Sequence, residues 1–127
     1  MQVKEKLSLS TIDRHVETTI AALFDSGAKF TYISDVVGKK LGFTAYKEPR
    51  DVHLAVKGAK GTILGEASLI FTLDGYEMPL PVQVYVVHDL AEEAVIGTNF
   101  MEGFDVQLDL REGRARLRKY PPEVKLM

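Results

Sequence analysis

Ile20-Ala21-Ala22-Leu23-Phe24-Asp25-Ser26-Gly27-Ala28 is an apolar run that stops on a carboxylate, a hydroxyl and a glycine. The unbroken apolar lead-in, part of a β-branched and apolar segment from Val16 to Phe24, predicts a strand running into the core. Such a strand would hold the Asp25 carboxylate rigidly at its end. Ser26 supplies a hydroxyl for local hydrogen bonding, and Gly27 lets the backbone turn tightly beside a ligand. Taken alone, such a tripeptide is usually just a turn. Much further on, Ala94-Val95-Ile96-Gly97 is a second apolar run ending in glycine, and the chain contains Asp-Ser-Gly once.

A single carboxylate cannot both activate a water and protonate a leaving group. Two carboxyls about 3 Å apart can, because like charges that close share one proton rather than both ionising. The ionised member then serves as base toward water while the protonated member donates to the carbonyl oxygen of the substrate. With one Asp-Ser-Gly, this chemistry needs a second copy of the chain.

Outward from this stretch, short β-like segments dominate. Val3 to Ser10 alternates as an edge or half-buried strand, and Val52 to Val56 and Thr62 to Leu73 read as two more. Between the latter, Lys57-Gly58-Ala59-Lys60-Gly61 reads as the tip of a hairpin. Asp74-Gly75 is a two-residue hairpin signal. Pro79 and Pro81 restrict pairing before Val82 to Val87. Val106 to Leu110 and Arg114 to Leu117 form a last hairpin across Glu112-Gly113. Helix is confined to Asp35–Leu41, with Ser34 as N-cap, Lys39 and Lys40 in the last turn and Gly42 beyond it, and to a shorter piece from Asn99 to Glu102. These segments predict an all-β domain, a closed or partly closed barrel with one or two short helices.

At 127 residues the chain has room for a single domain, 1–127, with a single core. A hydrophobic fraction of 46% and a net charge of −2 are those of an ordinary soluble protein and give no global basic excess for nucleic acid. The absence of cysteine removes disulfides, thiolate metal sites and cysteine nucleophiles together. Neither a signal peptide nor a membrane-spanning stretch is evident, so the expectation is a cytoplasmic protein.

The stretch from Ala22 to Ser34 resembles the retropepsins, the single-domain aspartic proteases of retroviruses, and more closely their cellular relatives. The matching elements are the apolar lead-in, Asp25-Ser26-Gly27-Ala28, Thr31, and Ser34 before a helix. Val95-Ile96-Gly97 followed by Asn99-Phe100-Met101 is similar to the second signature of that family. The resemblance spans about 16–117, and the hairpin from His53 to Gly65 falls where the family carries its flap. It implies a retropepsin-like closed barrel, one lobe of the acid-protease fold, forming a homodimer with Asp25 of each subunit at the two-fold axis. It further implies that Ser26 braces the pair across that axis, and that Gly27, Ala28 and Lys29 face an extended peptide or protein substrate. Val56, Lys57, Gly58 and Ala59 would close over that substrate. The implied activity is hydrolysis of peptide bonds at acidic to neutral pH, with no cofactor. A non-catalytic dimerisation or peptide-binding module is the alternative. Lys29 and Phe30 stand where viral enzymes place acidic residues, and Thr98 and Asn99 where Arg and Asp are common.

His15, His53 and His88 are far apart and show no ligand-like spacing, so no metal site is expected. In the run Arg111, Arg114, Arg116, Arg118 and Lys119, basic residues alternate with Ala115 and Leu117, as in a strand with one wet face. A binding face for an acidic partner or nucleic acid is the other reading of that run. Glu123 to Met127 reads as a tail or a dimer-forming strand.

Overall fold

The computed structural model describes residues 1–53 and 60–124. β1 (Gln2–Ser10) and β2 (Glu17–Asp25) pair antiparallel, with Gln2 opposite Asp25 and Ser10 opposite Glu17. Alternation in β1 sends Val3, Leu7 and Leu9 inward. The last four residues of β2, Ala22 to Asp25, are all buried, as the unbroken apolar lead-in predicts.

The chain continues through β3 (Tyr32–Ser34), α1 (Asp35–Leu41), β4 (Thr44–His53), β5 (Lys60–Leu73), β6 (Tyr76–Glu77) and β7 (Val82–His88). It ends with β8 (Ala94–Ile96), α2 (Thr98–Gly103) and the hairpin of β9 (Val106–Asp109) and β10 (Arg114–Leu117). In the main sheet β8 lies parallel to β2 and antiparallel to β3, and β3 lies parallel to β7. β5 then pairs with β7, β4 and β6. It also pairs with β1, Ser10 lying opposite Ile70, so the strands close into a ring. The fold class is all-β, as expected.

Inside the ring, Phe100 of α2 packs against Phe71 and Phe104, with ring centroids 5.0 and 5.1 Å away, and against Phe24 at 6.3 Å. One buried aromatic thus fixes α2 against the strand that ends in Asp25. Ser34 caps α1 by accepting the Val37 N–H at 3.2 Å, with Asp35 in the first turn and Lys39 and Lys40 in the last. Ser34 is buried, so Ser34→Ala leaves that N–H without its acceptor. The variant should cost about 1 kcal/mol in urea unfolding, and an unchanged midpoint would show that the cap is idle.

β4 starts eight residues before the predicted Val52, at Thr44. Lys47, Glu48, Pro49, Arg50 and Asp51 give no alternation to read, because this edge strand is exposed along most of both faces. Charges and proline are what an unpaired edge carries. Its ladder with β5 shifts register between Ala45 and Arg50. Of the segment predicted from Val52 to Val56, Val52 and His53 lie in β4 and the rest lies outside the described residues.

Part of the basic run is tied down within the chain. Arg114 reaches Glu5 of β1 at 3.1 Å and Asp74 of the β5–β6 turn at 2.8 Å, while Arg118 faces Asp105 at 3.7 Å. Glu123 and Val124 form no strand, and 125–127 lie outside the described residues.

Candidate active site

Asp25 is the last residue of β2, set between β1 and β8, and only 4% of it is exposed. Its Oδ1 accepts the Gly27 N–H at 2.8 Å, and its Oδ2 accepts Nε2 of Gln2 at 3.1 Å. Both donors are neutral. The Asp25 carbonyl accepts the Ala28 N–H at 3.0 Å, which closes the turn that the Asp-Ser-Gly sequence predicts. Ser26 is exposed, and both its N–H (3.1 Å) and its hydroxyl (3.4 Å) donate to the Met1 carbonyl.

The two apolar-run signatures meet. Leu23 lies beside Val95 and Phe24 beside Ile96 in parallel register. Beyond the strands, the Ala28 carbonyl accepts the Thr98 N–H at 2.8 Å and the Lys29 carbonyl accepts the Asn99 N–H at 3.1 Å. Thr31, fully buried, accepts the Gly97 N–H at 3.2 Å and donates to Asn99 Oδ1 at 2.8 Å. The loop from Asp25 to Thr31 is therefore laced to the start of α2. Thr31 and Asn99 stand out in the sequence as pattern positions, yet nothing local announces that they touch.

Next to this loop runs an aromatic wall that sequence reading does not anticipate. Phe30 meets Tyr85 edge-on at 5.9 Å, Tyr32 lies 6.1 Å from Tyr85, and Lys29 Nζ sits 5.6 Å above the Phe30 ring. With Tyr46, Val52 and Ile63 these rings line an open groove of about 870 Å³. Burial, reinforced by Tyr85, pushes the Tyr32 phenol up from its ordinary value. Burial and then the hydrogen bond to Glu66 (2.9 Å) do the same for Tyr46. Both phenols stay neutral in the groove. On the other side of Ser26, Met1, Met101, Val106 and Leu108 line a second, more apolar groove.

Among the proposed substrate contacts, Ala28 is buried and Lys29 exposed. Val56, Lys57, Gly58 and Ala59 lie outside the described residues, bracketed by the pair His53–Lys60 of β4 and β5. His15 lies beside Asp13, and His88 contacts Asp35 at 3.0 Å. Burial alone would raise the Asp35 carboxyl, but the His88 contact and the charge of Lys39 hold it below its ordinary value. Among the described residues no helix is long and apolar enough to cross a membrane.

No protein-family model matches the sequence, and neither does any curated protein. Solved structures do match. The retroviral protease-like domain of Ddi1 from Leishmania major aligns over 99% of this chain and 95% of its own, with a TM-score of 0.67 and 18% identity. The EIAV protease, complexed with the inhibitor HBY-793, aligns over 87% of this chain and 94% of its own, with a TM-score of 0.60 and 13% identity. A retropepsin-like aspartic protease from Rickettsia conorii covers 86% of this chain and 83% of its own, with a TM-score of 0.53 and 15% identity. At these identities the likeness is one of fold, and the fold is retropepsin-like.

Proposed function

We propose that the chain is an aspartic endopeptidase that works as a homodimer, with Asp25 of each copy on either side of one water. The observation that carries this reading is Asp25 itself: a buried carboxylate at a strand end, held by neutral donors, on a retropepsin-like fold. A buried carboxylate kept for structure alone would be expected beside a cation. Among the described residues Asp25 forms no ion pair.

In the dimer the ionised Asp25 takes a proton from the water as its oxygen attacks the scissile carbonyl carbon. The protonated partner Asp25 donates its proton to the carbonyl oxygen, giving a neutral tetrahedral diol. Collapse breaks the C–N bond, returns a proton from the diol to a carboxylate and delivers a proton to the leaving nitrogen. The peptide lies extended across Gly27, Ala28 and Lys29 with strand-like hydrogen bonds. One of its side chains enters the groove of Phe30, Tyr32 and Tyr85. The second copy packs on the apolar groove beside Ser26, where Met101, Val106 and Leu108 lie next to the site.

A diverse peptide mixture, incubated from acid to neutral pH and analysed by mass spectrometry, tests this reading. Cleavage should be strongest at acid pH. At dilutions where the dimer dissociates, the rate should rise with about the square of chain concentration, because each site draws one carboxyl from each copy. A rate still proportional to concentration at dilutions where the chain is monomeric would exclude a shared site. A non-catalytic peptide-binding module is favoured by one observation: within a single chain both Asp25 oxygens and Ser26 already have partners. A folded dimer that cleaves nothing would move the assignment there.

A further inference from the structure

Gln2 stands directly opposite Asp25 in the β1–β2 ladder, and its amide nitrogen donates to Oδ2, the carboxylate oxygen that Gly27 leaves free. The torsion that turns an aspartate carboxyl is broad and soft. One donor on Oδ1 leaves the group free to swing about that bond. A second donor on Oδ2, from a neighbouring strand, fixes the plane. Two carboxyls sharing a proton across an axis depend on those planes, since a misplacement of about 1 Å can cost a hundredfold in rate.

The chemistry of the partner matters as much as its position. A lysine or arginine at residue 2 would hold the carboxylate ionised. An amide carries no charge and offers both a donor and an acceptor. When Oδ2 is ionised, Nε2 donates to it; when Oδ2 carries a proton, a half-turn of the amide presents Oε1 to accept it. Either state keeps one hydrogen bond.

We propose that Gln2 is the positioning residue of the Asp25 carboxyl, a neutral clamp that fixes its plane in both protonation states. This rests on the endopeptidase reading. The β1–β2 register supplies the support: Ser8 and Thr19, opposite each other further along the ladder, are joined through their hydroxyls at 3.0 Å, which pins the alignment that brings Gln2 to Asp25.

Gln2→Met keeps the length of the side chain and removes both polar atoms. It should lower kcat about tenfold, as expected for one lost hydrogen bond to a charged group, with KM within about twofold. A merely structural role would lower the melting temperature and leave kcat alone, and unchanged kcat in the variant overturns the clamp. A second readout does not depend on turnover. In the 1H–15N spectrum of the full chain, the Gln2 side-chain amide should lie away from the position of a free glutamine and should move on Asp25→Asn. An amide at the free position, indifferent to Asp25→Asn, overturns the clamp whether or not the protein is a protease. If wild type cleaves no peptide while the amide remains displaced and sensitive to Asp25→Asn, the endopeptidase reading fails and the clamp stands.

Discussion

Asp25→Asn should abolish peptide hydrolysis, with kcat/KM falling by about a thousandfold or more, in protein that folds as well as wild type. The amide is isosteric with the carboxylate but neither takes a proton from water nor passes one on at working pH. Folding survives because its oxygen still accepts the Gly27 N–H that now goes to Oδ1. Its nitrogen then faces Gln2, whose own amide turns to offer an oxygen. The variant also tests whether the site is shared. If each site takes one Asp25 from each copy, mixed dimers are dead, and a tenfold excess of variant should cut the activity of a fixed amount of wild type about tenfold. A site complete within one chain would be untouched by the added variant. Loss of activity accompanied by loss of fold would point instead to a structural carboxylate, and circular dichroism of the variant separates the two.

The parts of this molecule that were legible in sequence are those whose cause is local. The apolar lead-in to Asp25 predicted a strand buried to its last residue, and Ala22 to Asp25 are buried. Ser34 was legible as a cap because capping needs only the residue and the three that follow it, and Val37 N–H is its partner. Thr44 to Asp51 failed for the converse reason, since a strand exposed on most of both faces leaves no hydrophobic period behind it. Gln2 and Tyr85 were illegible as parts of the site because their partners lie 23 or more residues away, and Asn99 was legible as a pattern position while its bond to Thr31 was not. The full length of the β1–β2 hairpin brings Gln2 to Asp25, the β3–β7 pairing brings Tyr85 beside Tyr32, and the bonds from Thr98 and Asn99 bring α2 to the loop after β2. Tyr85 reads in sequence as one more inward or outward residue of a Val-rich strand, yet against Phe30 and Tyr32 it becomes the wall of a groove.

The loop's dependence on such distant contacts sets the second large effect, which should fall on Gly97. A β-carbon there would lie 2.2 Å from the Phe30 carbonyl oxygen, 2.7 Å from its carbonyl carbon and 2.8 Å from the Ala28 carbonyl oxygen. All three are backbone atoms, so no side chain can rotate away to make room. The backbone of the 25–31 loop, or the start of α2, must move. That motion would stretch the bonds from Thr98 to Ala28 and from Asn99 to Lys29, and would part the Gly97 N–H from buried Thr31. Gly97→Ala should therefore destabilise the chain by about 3 kcal/mol, near the upper end of what overpacking costs, in urea unfolding. Gly103→Ala makes the comparison fair. It lies six residues on, at the end of α2, where a β-carbon would meet nothing within 4 Å. Removing a glycine from the unfolded chain there should leave stability unchanged or raise it by up to about 1 kcal/mol. A Gly97→Ala variant as stable as Gly103→Ala would mean that the loop and α2 are not in contact at Gly97. A destabilised variant that still folds at low temperature should lose hydrolysis out of proportion to its folded fraction, because the loop that must move is the one that carries Asp25.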